Sequence, residues 1–408
     1  MHLVYRNSAC NIGATGSGDG KEGCFFAREP EIVSTCTFDT LKDQQTVTYL
    51  VTMSENLTER LSEQPLNRRA WVVQERILSP RMIHFGLDQL YWECRSLCAC
   101  ESFPSGHPSD DYFKHLKESL SWESLADNTR ALYSTNLLGL QPILEYSAIL
   151  RSWDRIVQLY TGCGLTKPED KLIALSGLAK AFSQRINGRD YAGIWEKALT
   201  LGLLWHAHRG DRQLHKRPVR YKQYVAPSWS WASVQGEILM SSCLSERDGA
   251  SGYRFYSQID IQAVEIKPAG FDPTGAVKSG FIKVQGSMYA AMYTDDNWWR
   301  KQQKLKKGGI YDFVDLGRPD GVTPTLSFSV YPDVPPKIGQ LLFCLPVMCV
   351  RNANYSPTMR GLILKPASKS LFSKAFQRVG YFEETESDPP RETFFPMELG
   401  SSDTIKII

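Results

Sequence analysis

The chain is 408 residues long, 42% hydrophobic and 22% charged, an ordinary globular composition with room for two or three domains and a sizeable core. Its formal net charge of +3 excludes a general attraction for nucleic acid or an anionic membrane. The ten cysteines lack regular spacing, the first residues hold no apolar signal segment, and no apolar run nears the ~20 residues of a membrane span, so reduced thiols in a cytoplasmic protein with no membrane span are expected.

Taken in order, a short apolar start at His2 to Tyr5 leads into the Gly/Ser-rich run Gly13 to Lys21. Glycines there could cradle phosphate, but Thr15 stands where a Walker A loop needs its first Gly and Glu22 follows the Lys. A plain surface turn is the better expectation. Val33, Cys36 and Phe38, then Val47, Tyr49 and Val51, alternate with polar residues as in half-buried strands, and Glu55 to Asn67 reads as a polar linker.

The densest chemistry lies between Asn67 and Cys94. Asn67 suits an N-cap, and Trp71, Glu75 and Leu78 fall at helical spacing beside Ala70, Val73 and Ile77, predicting a helix of about three turns. Ser79 precedes Pro80, so the helix should stop there. Arg81 to Phe85 and Gln89 to Cys94 are β-prone, and Gly86-Leu87-Asp88 between them fits a hairpin loop with Gly86 at positive φ.

After the loop at Arg95 to Ser109, Asp111 to about Gly210 is helical in pattern. Ile149-Trp153-Ile156-Val157-Tyr160 and Leu172-Leu175-Leu178-Ala179-Phe182 give two buried faces, the second introduced by Pro168, Glu169 and Asp170. Tyr191 to Trp205 predicts a third, long aromatic helix. From residue 219 the pattern changes to β-branched and aromatic runs between Gly/Pro/Asp turns, at Ile259 to Val264, Phe281 to Gly286, Leu326 to Val330, Leu341 to Phe343, Gly361 to Leu364 and Gln377 to Phe382. Antiparallel sheet is expected there.

Several constellations invite function. Cys94, Cys98, Cys100 and His107 supply soft ligands, but at a spacing that matches no defined zinc motif, so no metal and no cofactor is expected. Ser228-Trp229-Ser230-Trp231-Ala232-Ser233 would put Trp229 and Trp231 on one face of a strand, where core packing outweighs a stacking platform. Trp298 to Lys307 mixes aromatics with positive charge, yet reads better as a solvated loop than as a nucleic-acid contact, so no nucleic-acid partner is expected. Hydrolase chemistry has no support, since no Gly-x-Ser-x-Gly elbow accompanies the serines.

Leu66-Asn67-Arg68-Arg69-Ala70-Trp71, Gln74-Glu75, Leu78-Ser79-Pro80-Arg81 and Gln89-Leu90-Tyr91-Trp92-Glu93-Cys94 resemble the central block of fungal heterokaryon-incompatibility (HET) domain proteins. Tyr5-Arg6-Asn7-Ser8, Ala14-Thr15 and Gly23-Cys24-Phe25 resemble the end of the family's conserved domain, and Pro227 to Ser233, Asp170 to Gly177, Gly361 to Leu364 and Arg378-Val379-Gly380 resemble downstream blocks. The family's usual "LSYxWG" and "WxDxxCIxQ" blocks do not precede Tyr5, which reads as a truncated HET domain, a misplaced start codon or a decayed copy, with an inactive fragment as an alternative to a working protein.

The resemblance implies an α+β chain in which residues 1–105 form the C-terminal part of a HET domain, 106–210 a helical region and 211–408 a β-rich region. It implies nonself recognition, vegetative incompatibility and programmed cell death, exerted through protein partners and without demonstrable enzymatic activity in this chain. Arg69, Trp71, Gln74, Glu75, Trp92, Glu93, Trp229 and Trp231 carry the family motifs. HET domains have also been likened to Toll/interleukin-1-receptor-like domains, whose NAD-cleaving members place a catalytic Glu four residues after a Trp, and Trp71 and Glu75 have that spacing. A wall of indole can desolvate a carboxylate and raise its pKa. The weightier expectation is that Glu75 pairs with Arg68, Arg69 or Arg81 and fixes the helix to the hairpin.

Overall fold

The computed structural model describes residues 2–28, 36–42, 45–51, 57–106, 117, 148–207, 219–240, 254–294, 311–315, 326–334, 337, 340–352, 355–368, 374–384 and 403–408. His107 and the Trp298 to Lys307 run lie outside them. The architecture is α+β with a strand-rich C-terminal portion. Two compact units are present, one of Met1–Asp127 with Gly162–Thr166 and one of Asn128–Thr161 with Lys167–Ile408.

The first unit opens with helix α1 (His2–Arg6) and strand β1 (Asn11–Gly13), followed by a hairpin of β2 (Cys36–Lys42) and β3 (Gln45–Val51). Helix α2 (Leu57–Glu63) occupies the segment expected to be a linker: Leu57 and Leu61, four residues apart, are both buried. Helix α3 (Ala70–Leu78) then runs into β4 (Arg81–Phe85), β5 (Leu90–Cys94) and β6 (Cys98–Cys100). The sheet order is β1-β4-β5-β6, with β1 parallel to β4 and the rest antiparallel.

The helix-then-hairpin expectation holds in outline, with its details corrected. Asn67 lies in a 3-10 turn, Leu66–Arg68, and donates its Nδ2 to Leu61 O at 2.7 Å; Arg69 is the N-cap and offers no side-chain cap. The helix's first free N–H, on Ala70, is met instead by Gly164 O at 2.9 Å, while Gly164 N–H returns to Arg68 O at 2.7 Å. Ser79 ends the helix as expected, its N–H on Glu75 O. Gly86 does not take positive φ. A Cβ there would lie 2.7 Å from the Tyr91 ring and 2.8 Å from Gln89 O, so close approach is what requires glycine. The turn after β1 is not a plain surface feature either, because Thr15, Gly16 and Ser17 are buried and Gly16 N–H bonds Phe85 O at 2.7 Å.

The second unit begins with helix α4 (Ala148–Gly162), which buries Trp153, Ile156, Val157 and Tyr160, and α5 (Ser176–Ile186), which buries Leu178, Ala179 and Phe182. The first matches the expected face; in the second, Leu172 and Leu175 are buried as expected but precede the helix, at a 3-10 turn of Ile173–Leu175. The third long helix does not form. Asn187 closes α5 in the left-handed conformation, and Ala192 and Gly193 take φ of 52° and 90°, which a helix cannot hold. In its place are a two-strand hairpin of β7 (Asp190–Tyr191) and β8 (Ile194–Trp195), a single helical turn α6 (Leu199–Gly202) and β9 (His206–Ala207). The short strands β10 (Val219–Arg220), β11 (Val234–Gln235) and β12 (Ile238–Leu239) form the pairs β10-β11 and β12-β9.

The large sheet comprises β13 (Arg254–Ser257), β14 (Ile259–Pro268), β15 (Val277–Gly286), β16 (Tyr289–Thr294), β17 (Tyr311–Asp315), β18 (Leu326–Pro332), β19 (Leu341–Asn352), β20 (Tyr355–Pro366), β21 (Ala375–Glu384) and β22 (Asp403–Ile407). Its pairings close on themselves: β16 to β17, β18, β21, β20, β19 and back to β16, all antiparallel. Closure removes free edges and lets one strand change partner along its length, aided by register shifts beside Pro346 and Ile363. Val330, Leu342, Cys344, Ile363 and Phe382 are buried together in its core. Beyond this ring β22, β15 and β14 continue outward from β21, and β13 joins β19. No helix among the described residues is long and apolar enough to cross a membrane.

Candidate functional site

The site residues of the first unit fall into an accessible face and a buried network beneath it. On α3, Val72, Val73, Gln74, Arg76 and Ile77 are buried, whereas Trp71 and Glu75 are half-buried and Arg69 at the N-cap is exposed. Glu75 accepts a hydrogen bond from the Tyr5 hydroxyl of α1. Burial pushes its carboxyl above the usual range, against the lowering pull of Tyr5 and the Arg69 charge, and burial together with Glu75 pushes the Tyr5 hydroxyl up. No ion pair joins Glu75 to Arg68, Arg69 or Arg81 among the described residues; the Arg81 guanidinium bonds Ala9 O.

The helix-to-hairpin ion pair exists one residue further along. Arg76 grips Glu93 with two bonds, Nε to Oε2 at 2.7 Å and Nη2 to Oε1 at 2.5 Å, and both side chains are buried, 3% and 2% exposed. His84 Nε2 lies 3.0 Å from Glu93 Oε2, and its Nδ1 lies 3.0 Å from Thr15 Oγ1. Lys117 Nζ is 4.0 Å from Glu93 Oε2. Burial alone would raise the Glu93 pKa, but Arg76 and His84 hold it well below the usual carboxylate value. Burial lowers the His84 pKa, outweighing Glu93, and it lowers that of Lys117 as well. A neutral His84 then donates from Nε2 to the carboxylate and accepts at Nδ1 from the Thr15 hydroxyl, a tautomer assigned from these partners.

Hydroxyl, imidazole and carboxylate thus stand in the order of a hydrolase relay. Thr15 and His84 are nonetheless 0% exposed, so no substrate carbonyl can reach the hydroxyl. The network's work is to tie the turn after β1, the hairpin and α3 into one polar core.

Sequence reasoning found Glu93 and missed its partners. The signal was present: pairing Phe85 with Leu90 sets Met82 opposite Glu93 and His84 opposite Tyr91, so alternation puts His84 and Glu93 on one face, diagonally adjacent. Of the other motif residues, Trp92 is half-buried on the opposite face of β5, and Gln74 is buried. Cys94 bonds the Ser96 hydroxyl at 3.4 Å, and Cys98 and Cys100 are buried in β6. No cluster of His, Cys, Asp and Glu with metal-holding geometry occurs among the described residues.

Trp229 and Trp231 do not share a strand face. They belong to a turn and a 3-10 helix, Trp231–Ser233, and both indoles are fully buried in the second unit. Trp231 Nε1 donates to Gly193 O at 2.9 Å, a carbonyl that also accepts Trp153 Nε1 at 3.1 Å, and the Ser230 hydroxyl bonds Ala192 O at 2.6 Å. Trp231 thus finds a backbone carbonyl of the β7-β8 turn, whereas Trp229 Nε1 has no hydrogen-bond partner among the described residues.

Residues 1–75 match the family model described as Heterokaryon incompatibility protein (HET). The chain carries a HET segment. It spans α1, β1, β2, β3, α2 and the first half of α3, and so contains Thr15, Tyr5 and Glu75, while Arg76, His84 and Glu93 follow directly. No match was found among curated proteins or among solved structures. The matched segment and the hairpin that carries Glu93 lie in the same compact unit.

Proposed function

We propose that this chain acts in fungal vegetative incompatibility, recognising nonself through a protein partner and passing that signal to programmed cell death from the cytoplasm. The single observation that supports the reading is the match of residues 1–75 to the HET family. The surface of that segment fits a protein partner. Leu3, Val4, Ile12 and Phe25 are 55%, 71%, 67% and 86% exposed, and among the described residues β1 pairs with β4 alone. Arg69, Trp71 and Glu75 are the motif residues of this segment that reach solvent and belong to the contact in this reading.

Induced expression of the full chain in a fungal host, scored for death alone and after fusion with strains of differing incompatibility type, tests it. Death in some pairings, abolished by Val4→Asp with protein level unchanged, is the expected result. Survival in every pairing with the protein present would sink the reading.

A further inference from the structure

A cleft of about 1160 Å³ lies wholly within the second unit, outside the HET segment. Its walls are the β7 end of the hairpin, the loop from Arg220 to Ala226, and strands β14 and β15, with Gln377 and Lys406 also lining it. That is at or just above the upper size of small-molecule sites, which run to roughly 1,000 Å³.

Its lining is chemically uneven. Tyr191, Tyr221, Tyr224 and Phe281 bring four aromatic rings to the walls. Burial pushes the hydroxyls of Tyr221 and Tyr224 up to about 12, so both stay neutral and present a hydrogen-bond donor beside the ring face. Five cations also line it; Arg220 is paired with Asp333, whereas Arg189, Lys222, Lys267 and Lys406 have no ion-pair partner among the described residues. Lys406 Nζ stands 3.7 Å from the centre of the Phe281 ring, which couples one cation directly to one aromatic wall. Against them stand the carboxylates of Asp190 and Glu265. Asp190 uses Oδ1 to accept the Gly193 N–H at 2.8 Å, leaving acceptor capacity toward the cleft.

Rings for stacking, unpaired cations for an anionic group, and a carboxylate able to accept from hydroxyls describe one kind of molecule better than any other. We propose that this cleft binds a nucleoside phosphate, the base stacked on the tyrosines, the phosphate among the cations and the ribose hydroxyls on Asp190. Each stacking contact and each charge-assisted bond to phosphate corresponds to roughly fivefold to a hundredfold in affinity.

Calorimetric titration of the full chain with adenosine monophosphate, adenosine and inorganic phosphate tests the proposal. Saturable binding of the monophosphate, with adenosine and phosphate each at least about tenfold weaker, is expected, as is a loss of about tenfold in Tyr224→Ala and in Lys222→Gln. Both side chains are exposed, Tyr224 by 54%, so neither change should disturb folding; unaltered far-ultraviolet dichroism would verify that. Absence of binding, phosphate binding as tightly as the nucleotide, or binding untouched by both variants would each overturn it. A pentaadenylate arm separates free nucleotide from nucleic acid: binding tighter than the mononucleotide would assign the cleft to a strand and overturn the assignment made here.

Discussion

Glu93 in the first unit and Asp333 in the second are both carboxylates with almost no exposed surface, and each is held by a buried arginine. Arg76, His84 and Glu93 come from consecutive elements, no two more than 17 residues apart, and Thr15 and Lys117 reach in from further away. Asp333 is bound instead by Arg378 Nε at 3.0 Å and Arg220 Nη2 at 3.2 Å, which lie 45 and 113 residues away. Arg378 also donates to the carbonyls of Leu203, at 2.6 Å, and Trp205, and its guanidinium sits 3.5 Å from the centre of the Trp205 ring. One network staples a local supersecondary unit; the other gathers four remote segments. The local one contains a histidine and so answers to pH, whereas the remote one relies on guanidinium groups that stay charged.

The comparison can be broken by experiment. The largest effect is expected from Arg378→Met, which strands two buried carbonyls and leaves Asp333 with Arg220 alone: about 4–5 kcal/mol of stability, read from urea unfolding midpoints. Arg76→Met should cost less, about 3 kcal/mol, because Glu93 keeps His84 and Lys117 as neighbours. If the order were reversed, the remote network would not be the tighter of the two.

Acid should separate the units next. The folded His84 pKa lies below the ordinary 6.5, so its contribution is complete above that value and is lost as pH falls through it. Glu93, held well below 4.5, adds a second loss in the carboxylate range. In the second unit, burial pushes the Asp190 carboxyl up to about 7 from an ordinary 3.8, so the native state binds more protons between those values and gains stability as pH falls from 7. Hydrogen exchange resolved by peptide should therefore show protection falling in residues 70–100 and rising around residues 186–195 between pH 7 and 5. His84→Gln should flatten the first trend and Asp190→Asn the second; parallel trends in the two regions would refute the assignment.

The smallest effect sharpens the local network. Thr15→Val removes the hydroxyl that His84 Nδ1 accepts and should cost about 1–2 kcal/mol without changing the acid slope set by His84. A change in that slope, measured by the same exchange series, would mean that Thr15 helps set the charge of His84.

Much of the first unit's site could be read in advance. Helical spacing with a Ser-Pro stop marks where α3 ends, and two β-prone runs around Gly86 place the hairpin; its register then aligns His84 with Glu93. Gly86 itself was legible for the wrong reason, since Tyr91 packs over it. The second unit was legible only as element types. Tyr191 to Trp205 has helical periodicity, yet Asn187, Ala192 and Gly193 take left-handed backbone there, and the Gly193 carbonyl collects the Trp153 and Trp231 indoles. Those indoles lie 40 and 38 residues away, beyond any window that periodicity can sense.

The sequence by itself determined the α+β class, the helix–hairpin unit and the face that carries Glu93, because period, turn chemistry and strand alternation act within about ten residues. Tertiary structure alone decided the closure of β16 through β21 into a ring, the burial of Arg378 on Asp333 and the mixed aromatic and cationic cleft beside β14. Each of these joins segments far apart in the chain, and such partners are selected by packing and charge in the folded state, not by the local preferences of either segment.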